Sequence, residues 1–126
     1  LWGWRYMLRL VNRRLIIPRG DSGSFALPTL GITDEGNVAI FSIFDTLTRE
    51  TLLEKRVDAS EDYLYINLTH ENTNIPAGKY YWDIKIYREP QFDEDGVLIG
   101  GEEVDSYYSA YKMPSCIIKE VSRKDG

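Results

Sequence analysis

A chain of 126 residues holding one cysteine, Cys116, has room for a single domain with its own core and excludes an internal disulfide. Its 15 basic and 20 acidic residues give a net charge of −5, yet Arg5, Arg9, Arg13, Arg14 and Arg19 all fall within the first 20 residues, where no acid occurs. The remainder is therefore strongly acidic, which speaks against a nucleic-acid partner, and no apolar run approaches the ~20 residues of a membrane span.

Along the chain, short aromatic and β-branched runs are cut by turn residues and helical periodicity is nearly absent, so the prediction is all-β. The segment Leu1–Met7 has charge and aromatics but no continuous apolar stretch or small-residue cleavage site; residues 1–6 read as an upstream extension, with Met7 as the natural start. A first strand is expected over residues 6–17, stopped by Pro18 and Gly20, and a second over Ser24–Leu30, with Pro28 marking an edge or a bulge. The turn Thr33–Asn37 leads to Val38–Phe44, apolar on both faces and so expected at the centre of a sheet. Thr48–Val57 reads as a polar edge strand, with a short helix as its alternative because Arg49–Lys55 contains good helix formers.

The clearest alternation is Tyr63–Leu68, which sends Leu64, Ile66 and Leu68 to one face and Tyr63, Tyr65 and Asn67 to the other. After the loop 70–77 comes the anchor strand Gly78–Ile86, with Tyr80, Trp82, Ile84 and Ile86 inward and Asp83 and Lys85 outward. Asp95-Gly96 turns a long hairpin, Val104–Met113 is expected as the last main strand, and a polar tail begins near Ser122. Cys116, in the apolar run Cys116-Ile117-Ile118, reads as a small buried hydrophobe. Seven to eight strands at this spacing predict an immunoglobulin-like antiparallel β-sandwich over residues 7–121 with a tail at 122–126, and Tyr80 suits the tyrosine corner of such folds.

Several motifs suggest chemistry. Gly20-Asp21-Ser22-Gly23 matches the nucleophile motif of trypsin-like proteases, but the only histidine, His70, follows the serine where that family needs its base to precede it. A strand-entry turn explains the same residues. Arg19-Gly20-Asp21 spells a cell-adhesion tripeptide, which requires an exposed loop tip. Gln91–Gly96 followed by Glu102 approaches a calcium loop, with Asp93, Asp95 and Glu102 as candidate ligands; Gln91 in the first ligand position and Pro90 beside it count against a helix-flanked site, and a solvated acidic hairpin is the expectation. No nucleophile–base pair or full metal set stands out, so no cofactor and no enzymatic activity are expected. Tyrosines gather as Tyr63, Tyr65, Tyr80, Tyr81 and Tyr87, and as Tyr107, Tyr108 and Tyr111; those that alternate outward suit a protein interface or a sugar platform, and otherwise stabilise the sheet by cross-strand pairing.

The passage Leu15–Phe25, Leu-Ile-Ile-Pro-Arg-Gly-Asp-Ser-Gly-Ser-Phe, resembles the opening of a group of bacteriophage virion domains, and Ile75–Ile84, Ile-Pro-Ala-Gly-Lys-Tyr-Tyr-Trp-Asp-Ile, is similar to their later Pro-x-Gly-x-Tyr strand entry. The resemblance spans residue 9 to about 121 and is nearest to the amino-terminal immunoglobulin-like domain of phage baseplate upper proteins and related tail, head-fibre and decoration domains. It implies a virion location and a non-enzymatic role in assembly or attachment, with other virion proteins and copies of the same chain as partners. Those baseplate proteins continue into long further regions, whereas this sequence stops at Gly126, a departure that favours a small virion component over a host-facing one. The residues expected to carry such contacts are Arg9, Arg13 and Arg14 of the first strand and Tyr63, Tyr65, Tyr107, Tyr108 and Tyr111. The alternative is a carbohydrate-binding or adhesion module that uses the exposed tyrosines.

Overall fold

The structure, a computed structural model, describes residues 8–29, 31, 33–106 and 114–120. Among them every regular element is a strand and none is a helix. In chain order these are β1 Arg9–Val11, β2 Arg14–Pro18, β3 Gly23–Pro28, β4 Val38–Asp45, β5 Thr51–Asp58, β6 Tyr63–Leu68, β7 Gly78–Phe92, β8 Leu98–Ser106 and β9 Ser115–Lys119. Seven of them form one sheet in the order β1-β2-β9-β7-β4-β5, with β8 paired to the second half of β7, while β3 and β6 form a separate antiparallel pair.

Three expectations need correction. Residues 6–17 are not one strand: Val11 pairs with Arg14 across a two-residue turn in which Asn12 and Arg13 hold φ of 50° and 68°. Both turn residues are left-handed, the geometry whose twist matches a hairpin, and Arg is a residue that seldom announces it. The return of the long hairpin is β8 instead of Val104–Met113, and a further strand, β9, follows it; residues 107–113 lie outside the described residues. Finally the main sheet is mixed instead of antiparallel, because β9 runs parallel to β2, from Leu15 opposite Cys116 to Pro18 opposite Lys119. The polar segment Thr51–Asp58 is a strand at the sheet edge, and its helical alternative falls away.

Burial follows the alternation. Leu64, Ile66 and Leu68 of β6, with Leu27 of β3, face Leu15 and Ile17 of β2, Phe41 and Ile43 of β4, Trp82, Ile84 and Ile86 of β7, and Cys116 and Ile118 of β9 in a single apolar cluster. Each large side chain fully withdrawn from water contributes roughly 1.5–3 kcal/mol. At its centre the rings of Phe25, Phe41 and Trp82 meet with centroids 5.5, 6.0 and 6.5 Å apart, two of the three contacts edge-on. The buried indole keeps a polar partner, its Nε1–H donating to the Arg13 carbonyl at 2.8 Å. Tyr80, at the entry to β7, donates its hydroxyl to the Pro76 carbonyl at 2.6 Å and so pins the preceding loop to the strand.

Asp83 departs from its expected exposure. It does lie on the sheet face away from the core, opposite Ser42, but it is only 4% exposed. The reason is the shape of β7, whose ladder with β8 is interrupted between Arg88 and Gln91, with Glu89 at a φ of 50°. Such bulges bend a strand. The hairpin tip turns back over this face, and Phe92 comes to lie under the Arg56 guanidinium of β5, 4.2 Å from the ring centroid.

Candidate functional site

The outer face of the small sheet carries the clearest display of apolar area. Because Leu64, Ile66 and Leu68 are buried, the two-residue period turns Tyr63 and Tyr65 outward, where they are 51% and 59% exposed. Their ring centroids are 6.5 Å apart, and across the ladder Tyr63 stands opposite Pro28 and Tyr65 opposite Ala26. With Ser24 opposite Asn67, this makes an exposed face of two rings, the apolar Ala26 and Pro28, and two small polar side chains. Among the described residues neither β3 nor β6 has a second ladder partner.

Other tyrosines are spent inside the fold. Tyr80 is buried; Tyr81 packs on Phe44 at 6.1 Å and lies under Arg49 at 5.6 Å. Tyr87 is half-buried, and burial raises its hydroxyl above the ordinary phenol value. Tyr107, Tyr108 and Tyr111 lie outside the described residues.

The three arginines of the expected interface divide. Arg13 and Arg14 are exposed together at the tip of the β1–β2 hairpin, held there by the Trp82 bond to the Arg13 carbonyl, while Arg9 sits half-buried at the far end of β1 opposite Ile16.

Arg19-Gly20-Asp21 does not form a free loop tip. The Gly20 N–H donates to the Thr73 carbonyl at 3.2 Å, and the Thr73 hydroxyl donates to the Asp21 carbonyl. Arg19 reaches Asn74 at 3.2 Å and Glu120 at 3.2 Å. His70 Nδ1 lies 2.7 Å from the Gly20 carbonyl, an oxygen that accepts, so this nitrogen carries the proton and the bond fixes the ring against the turn. The histidine thus does approach Gly20-Asp21-Ser22-Gly23, but its near nitrogen is committed to a backbone carbonyl.

In the hairpin loop the Asp93 carboxylate accepts the N–H groups of Asp95 and Val97, each at 2.9 Å, and Gly96 closes the turn with a φ of 81°. Glu102 is drawn to Arg88, at 3.4 Å, and Arg88 also holds Asp34 at 3.0 Å. Asp93 therefore serves a backbone turn and Glu102 an ion pair, and among the described residues no three His, Cys, Asp or Glu side chains are grouped to hold a metal. Cys116 is fully buried between β2 and β7, and burial pushes its thiol up to about 12.

A feature with no signal in the sequence is the groove between the main sheet and the folded-back hairpin. It encloses about 710 Å³ and is lined by Ile40, Ser42, Asp83 and Tyr87 below and by Phe92 and Val97 above. It arises from the bend in β7, and no local pattern reports that bend. No helix in the described residues is long and apolar enough to cross a membrane. No protein-family model, curated protein or solved structure matches the chain.

Proposed function

We propose that this chain is an immunoglobulin-like sandwich that works as a non-enzymatic docking component of a phage particle. The fold reading is supported by strand order: β9-β7-β4-β5 facing β3-β6 follows the G-F-C-C′ and B-E arrangement of variable-type immunoglobulin domains. Two internal details agree with it. The Tyr80 hydroxyl bonds back to Pro76, as a tyrosine corner does at the start of strand F. Two residues on, Trp82 meets Phe25 of β3 and Phe41 of β4, so an aromatic trio occupies the positions that antibody domains give to their disulfide and its tryptophan.

The observation that carries the docking reading is the Tyr63–Tyr65 face. Two large, rigid, half-exposed rings on a short sheet offer contact area at small entropic cost, the composition that protein interfaces favour. Assignment to a phage particle, with other virion proteins as partners, comes from the resemblance of Leu15–Phe25 and Ile75–Ile84 to virion domains. The same pair of rings also suits the alternative, stacking against a sugar. Co-expression with the neighbouring structural genes, followed by particle purification, tests both readings. Under the docking reading the wild-type chain travels with particles, and Tyr63→Ala/Tyr65→Ala reduces its occupancy at least about tenfold, as loss of paired aromatic anchors does. A chain absent from particles that binds glycans through the same tyrosines would establish the alternative.

A further inference from the structure

Strand β5 ends the main sheet, and among the described residues no strand lies beyond it. From Leu53 to Asp58 it pairs regularly with β4, while at Leu52 the register shifts, so the regular edge stops there. An unpaired row of backbone N–H and C=O groups is a template for a further strand. Glu54 and Arg56 both line the groove and so share its side of the sheet, whereas Leu53 and Val57 pack toward the core side.

A second copy that adds antiparallel about a two-fold axis normal to the sheet has few registers to choose from, because paired residues must share a face. Centring on Glu54 sets that carboxylate against itself and requires the bulged Leu52. Centring on Arg56 opposes two guanidinium groups and faces Glu54 with Asp58 twice, and centring on Val57 faces Arg56 with Asp58 twice but keeps only the last three residues of β5 in the ladder. Centring on Lys55 places Glu54 of each copy opposite Arg56 of the other and Leu53 opposite Val57, two ion pairs and two apolar pairs. The self-opposed Lys55 is already directed elsewhere, its Nζ donating to Asn72 at 3.2 Å.

We propose that two copies of this chain join through β5 in the register centred on Lys55, making one continuous sheet across the two-fold axis. This deepens the docking reading by naming one partner, and it rests on that reading in treating the chain as one that acts through protein contacts. The contact is small against a standard interface of roughly 1,600 Å², so its dissociation constant is expected on the order of micromolar to millimolar.

Analytical ultracentrifugation of the full chain over that concentration range decides it, with circular dichroism checking that each variant keeps its β spectrum. The wild type is expected to shift from monomer to dimer. E54R and R56E each set like charges opposite and are expected to weaken the dimer about tenfold or more, whereas the swap E54R/R56E brings it back toward the wild-type constant. Arg56 also covers Phe92, and R56E and the swap lose that contact alike, so comparing these two isolates the pairing. A wild type that stays monomeric, a dimer indifferent to both single changes, or a swap that restores nothing overturns the proposal. A monomer that still joins particles would remove the dimer and leave docking; a dimer that never joins them would do the reverse.

Discussion

At the scale of single residues, two side chains brace the backbone next to a strand end. Tyr80 ties β7 to the loop before it, and Tyr80→Phe is expected to lower stability by about 1 kcal/mol, the usual worth of one hydrogen bond, read as an earlier urea midpoint with an unchanged slope. Asp45 caps the β4–β5 turn by accepting the N–H groups of Thr48 at 3.0 Å and Leu47 at 2.8 Å, and these bonds lower its carboxyl below the ordinary value. A lowered folded value means the cap is complete above the unfolded carboxyl value of about 3.9 and is lost as pH falls through the lower folded one. The Leu47 and Thr48 amide resonances should therefore hold steady from neutral pH down to that range and move below it, and Asp45→Asn should abolish the movement. Residues that simply alternate were legible in the sequence: Leu64, Ile66, Trp82 and Ile84 are all inward and Tyr63 and Tyr65 outward. Asp83 was not, because period two reports which face a side chain takes and says nothing of whether a distant hairpin covers that face.

At the scale of elements, β6 and the first half of β7 were readable for the same reason, whereas the β1–β2 turn and the bend of β7 were not. Each depends on a non-glycine residue in left-handed backbone, Arg13 in one and Glu89 in the other, and neither side chain signals that geometry. Gly101 sits across from the bend with a φ of 132°, and an added Cβ would come within 3.0 Å of the Pro90 Cα and 3.3 Å of the Arg88 carbonyl. Gly101→Ala is expected to cost on the order of 1–3 kcal/mol, by strain and by crowding backbone that cannot step aside. The damage should stay local: hydrogen exchange should rise in β8 and the hairpin tip while β4, β6 and the start of β7 stay protected. Equal loss of protection across the core would show that the hairpin supports far more of the molecule than its position suggests.

At the scale of the whole molecule, the expected two-layer sandwich reading captured the inward faces but not the parallel partner of β2. Leu15 meets Cys116 across the full length of the chain, and a three-residue apolar run such as Cys116–Ile118 carries no mark of where it will pair. Yet β9 lies between β2 and β7 and adds Cys116 and Ile118 to the core. Ending the chain at Met113 should therefore detach β1 and β2 as well as β9. The shortened chain is expected to lose its sharp cooperative melt, with the Trp82 environment already disturbed before heating because its indole partner is on the detached hairpin. A sharp transition retained by that variant would show that the sheet closes without its inserted strand.

That insertion also sets an order of events during synthesis. Strand β2 and the start of β7 are synthesised well before β9, and until β9 follows, β2 has no neighbour on the side where it will finally be held. Until β9 docks, the apolar face and the open flank of β7 stay available to other polypeptides, so the insertion of this strand is the step at which the folding chain is most exposed to aggregation.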